Sequence, residues 1–148
     1  MGGYTAEIQL PAGIVPPLLH IADATAEQLV RDRIKCVGLL GTQFTMEEDF
    51  YKRRLTEKFA IEVVIPDAED RKLVHEVIYD ELCMGKIEDS SRSSYVKIIR
   101  KLKQRGAEAV ILGCTEIALL VQQAHTPVPL YDTTEIHAQQ AIRYALAD

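Results

Sequence analysis

Two short stretches constrain this chain more than any other feature. They are Lys35 to Leu40 (KCVGLL) and Ala109 to Leu112 (AVIL), β-rich runs with no polar alternation. A strand with one face in water alternates apolar and polar residues. A run that is apolar throughout needs cover on both faces, as in a parallel sheet wrapped by helices. Further strands are predicted at Leu18–Ile21, Ile61–Ile65 and Val128–Tyr131, and the second run extends over Glu108–Gly113. Helices are predicted between them. One follows a cap at Asp23 or Thr25 and runs to about Arg33; the next starts at Thr45, in a capping box with Glu48, and runs to about Phe59. Met46, Phe50 and Leu55 lie on or near one face of the latter. Ala68–Met84 and Ser91–Arg105 follow, closed by Gly85 and Gly106, and then Thr115–Gln123 and Thr133–Ala147.

Strands alternating with helices imply an α/β fold: an open, mostly parallel sheet of four to five strands with helices on both faces. Right-handed crossovers then bring the loops after the strands to one edge, and ligands bind outside the carboxyl ends of such strands. That edge collects Gly41-Thr42, Pro66-Asp67, Gly113-Cys114-Thr115 and Asp132-Thr133. At 148 residues the chain is one domain, with residues 18–148 forming the α/β unit and residues 1–17, rich in proline and glycine, a tail or connector. The net charge of −5 argues against a nucleic-acid binder, and no apolar run approaches the length of a membrane span. The three cysteines form no CxxC pair, so neither a disulfide framework nor a metal site is indicated. Reduced thiols in the cytoplasm fit this pattern.

The residues able to carry chemistry gather at the predicted edge. Cys114 sits where a strand ends and a helix begins, after a glycine that lets a ligand approach the backbone, in a setting that favours the thiolate. Gly41, Thr42 and Thr45 can cap a helix, or use N–H groups and hydroxyls to hold a carboxylate or phosphate. They match neither a dinucleotide fingerprint nor a P-loop. Glu116 is favoured as a first-turn acid; it can also tune the thiol or bind a substrate ammonium. Cys36, inside a strand, and Cys83, on an apolar helix face, read as buried core thiols. His75 and His125 read as solvated, and His20 and His137 as structural. The run Lys97, Arg100, Lys101, Lys103, Arg105 reads as a solvated helix face.

Several of these stretches resemble the aspartate/glutamate racemases, and most of all their broad-specificity branch. They are Val37-Gly38-Leu39-Leu40-Gly41-Thr42, Thr45-Met46, Asp49-Phe50-Tyr51 and Gly113-Cys114-Thr115-Glu116, with Leu19-His20-Ile21-Ala22-Asp23-Ala24-Thr25 upstream. The resemblance runs from about Leu18 to the end of the chain. It implies a racemase that needs neither pyridoxal phosphate nor any other cofactor. In that family two similar α/β domains close over an amino acid, and each supplies one cysteine. A thiolate removes the α-proton on one face and a thiol returns a proton to the other. By motif position, Cys114 is the second-domain cysteine, Thr115 helps hold the α-carboxylate, and Gly41, Thr42, Thr45 and Glu116 line the same pocket. Neither Cys36 nor Cys83 has the setting of the first-domain cysteine, so the chain reads as the second half of such an enzyme, with half a site. Some aspartate racemases carry a lysine near the position of Cys83. The resemblance implies aspartate or glutamate as substrate and a homo-oligomer, most simply a dimer. The segment Thr134–Ala147 is expected on its own sheet or on a second copy. The alternatives are a domain that binds a small carboxylate without turnover, and a cysteine-dependent relative such as a hydantoin racemase or maleate isomerase.

Overall fold

The computed structural model describes residues 17–147. The expected tail therefore lies almost wholly outside the described residues, as do the side chains of His20 and Phe50. In chain order the elements are α1 (Pro17–Arg31), β1 (Cys36–Leu40), α2 (Gln43–Glu47), α3 (Asp49–Phe59), β2 (Glu62–Val64) and α4 (Ala68–Asp80). A 3₁₀ turn at Leu82–Met84 leads to α5 (Asp89–Gln104), β3 (Ala109–Leu112) and α6 (Ile117–Leu120). A second 3₁₀ turn at Gln123–His125 precedes β4 (Leu130–Asp132) and α7 (Thr133–Ala147). The sheet has four strands in the order β2-β1-β3-β4, and every pairing is parallel.

The absence of polar alternation in β1 and β3 now has its cause. Val37, Leu39, Ala109 and Ile111 face one core with Ala22, Ala26, Leu29, Tyr51 and Leu55 from α1 and α3. Leu40, Val110 and Leu112 face the other, with Val74, Val77, Ile78, Tyr95, Ile99 and Leu102 from α4 and α5. Gly38 lies under α5: a Cβ there would come within 2.9 Å of Leu102 Cδ1 and 3.3 Å of Val110 Cγ2. At the opposite end of the sheet, Glu108 Oε1 accepts from both Lys35 N and Cys36 N, at 2.9 and 3.1 Å.

Five expectations need correction. Leu18–Ile21 is the first turn of α1 and not a strand. Four apolar residues cannot distinguish the two by period, and the longer stripe Ala22, Ala26, Leu29 decides for helix. Pro17 suits a first helical turn, which needs no N–H donor there. Thr25 then lies inside the helix and gives its hydroxyl proton to Ile21 O (2.9 Å) instead of capping. The segment up to Phe59 is two helices, because Glu48 takes an extended conformation that closes α2 and opens α3 without a side-chain cap. The cap of α2 is Thr42, three residues earlier than expected, its Oγ1 accepting from Thr45 N at 3.3 Å. The helix after Cys114 is a single turn. Val121 leaves it in extended conformation to reach the core, and Arg92 Nε takes up the Leu120 carbonyl at 2.7 Å.

The last helix, α7, packs mainly on α1, on the same side of the sheet as α3. The Tyr131 hydroxyl donates to the Asp32 carboxylate and ties β4 to the end of α1. A second link joins α1 to α3, where Asp23 accepts from Arg54 Nε and Nη2 at 2.7 and 2.8 Å and from Lys58 Nζ at 3.3 Å. The Arg54 hydrogen bonds hold the Asp23 carboxyl below its ordinary value of 3.8, against the opposing effect of burial. A depressed folded value means the contribution is complete above the unfolded value and is lost as pH falls through the folded one. Asp23→Asn is therefore expected to cost on the order of 1–3 kcal/mol at neutral pH. In urea titrations the gap from the parent protein should close as the pH drops below about 4. A gap that stays constant into acid would show that the carboxylate charge contributes nothing.

Candidate functional site

The parallel order brings the carboxyl ends of β1 and β3 side by side, and the two loops that follow touch directly. Gly113 N donates to Leu40 O at 2.7 Å. A Cβ on Gly113 would lie 3.0 Å from that same oxygen and 3.2 Å from Thr45 Cγ2. A Cβ on Gly41 would lie 3.0 Å from Thr45 Cγ2. The Thr45 methyl thus sits against both glycines, and larger residues at either place would push the loops apart. The Oγ1 atoms of Thr42 and Thr45 are hydrogen-bonded to each other at 3.1 Å, with either hydroxyl able to donate. So the structure brings together Gly41, Thr42 and Thr45 from one loop and Gly113 from the other, with Cys114, Thr115 and Glu116 following in sequence.

The state of Cys114 differs from the expectation of a favoured thiolate. The residue is half-buried and packs against the core that contains Tyr95 and Ile117. Its Sγ donates to Glu116 Oε2 at 2.8 Å, and Thr115 Oγ1 donates to the same oxygen at 2.9 Å. Burial, with the Glu116 carboxylate beside it, pushes the thiol up to about 12. The Glu116 carboxyl is held below its usual range by the Cys114 thiol and then the Thr115 hydroxyl. A one-turn α6 that begins three residues after the cysteine offers little dipole to oppose this. In this arrangement Cys114 is a proton donor.

Cys83 is not a core residue. It is exposed, in the 3₁₀ turn that packs against α6. The helix ends at Asp80, so the apolar face that would have buried it is never formed. Cys36 is half-buried at the first position of β1, and burial pushes its thiol up. His75 is partly exposed but has a structural partner: its Nδ1 accepts Gln43 N, the first N–H of α2, at 2.9 Å, and its ring lies 4.7 Å from that of Tyr79. His125 Nδ1 accepts Gln122 N in the same manner, at 3.0 Å. A buried hydroxyl group under the site went unread in the sequence. Thr133 Oγ1 donates to Leu112 O at 3.2 Å, and the Tyr51 hydroxyl bonds Thr133 and Thr25. Its one sequence signal was Thr133 at the start of a helix beside the edge. Among the described residues no group of three or more His, Cys, Asp and Glu side chains could hold a metal ion, and no helix is long and apolar enough to cross a membrane.

A parallel α/β domain with a cysteine at the strand mouth and a threonine loop beside it defines a class of small-molecule site. The Asp/Glu/hydantoin racemase family model matches residues 8–141, and the chain belongs to that family. It is similar to a candidate Asp/Glu racemase of Yersinia pestis of known structure, with 53% identity and a TM-score of 0.83 over 86% of this chain and 56% of that one. It is also similar to an aspartate racemase homologue of Pyrococcus horikoshii, with 35% identity and a TM-score of 0.79 over 95% of this chain and 59% of that one. An uncharacterised protein encoded in the pnlA 3′ region of Pectobacterium carotovorum is 32% identical over 120 residues, 80% of this chain and 78% of its own. The chain thus spans little more than half the length of these solved relatives and corresponds to a single domain of the family.

Proposed function

We propose that this chain is one catalytic half of a cofactor-independent racemase acting on aspartate or glutamate. Cys114 exchanges a proton with the substrate α-carbon, and Thr42, Thr45 and Thr115 hold the α-carboxylate. The observation that carries this reading is the junction at Gly113, which sets the Cys114 loop directly against the threonine loop. Similarity to the Yersinia candidate Asp/Glu racemase and to the Pyrococcus aspartate racemase homologue supports the amino-acid substrate. Inversion at carbon needs an acid on one face and a base on the other, because the carbanion-like intermediate is planar. A high-pKa thiol suits the acid. It gives up its proton only to a strongly basic centre, which an amino-acid carbanion is. The opposing base then comes from a companion domain, or from a second copy of this chain whose Cys114 has lost its Glu116 contact. The reduced thiols this chemistry requires fit a cytoplasmic setting.

The test follows the α-proton of L- and D-aspartate and L- and D-glutamate by NMR in D₂O, across a series of protein concentrations. Exchange with inversion that grows with self-association supports two copies facing each other. Exchange with retention supports Cys114 working as a one-sided acid and base. Saturable binding by calorimetry without exchange at any concentration would overturn the facing-copies arrangement and leave either a half-site that needs a companion domain or a carboxylate-binding domain without turnover.

A further inference from the structure

We infer that Glu116 is a positioning residue that holds the free site closed on itself, its single Oε2 occupying both donors that a substrate carboxylate and carbanion would need. The inference rests on the racemase reading for the meaning of the site, and on the described geometry for the contact itself. Cys114 Sγ and Thr115 Oγ1 converge on the same oxygen, at 2.8 and 2.9 Å. A carboxylate placed there by the chain is a tethered analogue of the ligand. It accepts a hydroxyl proton from the threonine assigned to the substrate, and it lies against the thiol that must face the α-carbon.

Two consequences follow. First, an incoming carboxylate has to displace Glu116 from Thr115, so Glu116 competes with it and repels it as a like charge. Second, ionising Cys114 next to a carboxylate places two negative charges in hydrogen-bond contact, so Glu116 adds to burial in keeping the thiol protonated. The charged groups around Cys114 divide between the two sides of the pair. On its own loop the neighbour is Glu116. From the packed elements, Tyr95 of α5 and Cys83 of the 3₁₀ turn lie near enough to interact with it electrostatically. Neither of these brings a positive charge.

The test needs no turnover. Alkylation of Cys114 by iodoacetamide is followed from pH 7 to 10.5 by peptide mass spectrometry, which separates it from Cys36 and Cys83. In the parent protein the rate is expected to climb about tenfold per pH unit with no plateau, as for a thiol still protonated throughout. In Glu116→Gln the curve should shift to lower pH and run faster than the parent at each pH, while burial continues to oppose ionisation. Glu116→Asp, which keeps the carboxylate, should return it toward the parent curve. Calorimetry with succinate, a plain dicarboxylate, should show at least several-fold tighter binding to Glu116→Gln than to the parent. Glu116→Ala with circular dichroism guards against a change of fold. Superimposable alkylation profiles for the parent and both neutral variants would overturn the inference. A shifted profile in a protein that exchanges no α-proton would leave the Glu116 contact standing while removing the reading in which two copies of this chain complete the racemase site.

Discussion

Cys114→Ser is expected to slow α-proton exchange by about 10²–10⁴-fold, the range associated with loss of a positioned acid–base group. A serine hydroxyl is a weaker acid than the thiol, and its alkoxide is inaccessible near neutral pH, so neither direction of transfer survives. Substrate affinity should change little, because Thr42, Thr45 and Thr115 keep their places and serine is close in shape to cysteine. The measurement is the D₂O exchange rate beside calorimetric binding, at a protein concentration where the parent exchanges. Cys36→Ser serves as the control, since that thiol lies at the opposite end of β1. Full exchange in Cys114→Ser would assign the chemistry to another group. Loss of binding together with exchange would mean that the cysteine shapes the pocket more than it moves a proton.

Tyr95→Ala is expected to be the most damaging single change in the core, at about 3–5 kcal/mol. Tyr95 is fully buried among the side chains of α4 and α5, and its hydroxyl donates to Val74 O at 2.7 Å. Removing the ring leaves a cavity that the rigid sheet beneath cannot collapse to fill, whereas Tyr95→Phe loses only the hydrogen bond, about 1 kcal/mol. Urea denaturation of the two variants separates these contributions. Equal losses would show that the hydroxyl, and not packing, stabilises this face. The ring also belongs to the apolar wall behind Cys114. Tyr95→Ala should therefore lower the thiol's titration toward the ordinary range by admitting water.

The parts of the fold legible in sequence were those whose signal was long or absolute. The apolar spacing Val96, Ile99, Leu102 marked the helix that is α5, although the buried stripe runs through Tyr95 and Ile98 in place of Val96, and β1 and β3 lack polar alternation because both their faces are covered. Their parallel pairing followed from the alternation of elements, and with it the meeting of Gly41, Thr42 and Thr45 with Gly113. Short apolar segments were ambiguous: Leu18–Ile21 became helix, and the segment after Cys114 stopped after one turn because Val121 and Arg92 drew it elsewhere. The position of Cys114 could be read and its protonation could not. That state depends on burial against Tyr95 and on the rotamer of Glu116, and both are set by tertiary packing.

The seat of α7 on α1 has a consequence for how the chain acquires its structure. These are the first and last described elements, so their contact joins residues separated by more than a hundred positions along the polypeptide. Such pairings are slow to close, because the entropy of the intervening loop must be overcome before any contact rewards it. On the ribosome, α1 can dock early onto α3, but its contact with α7 forms only after α7 emerges.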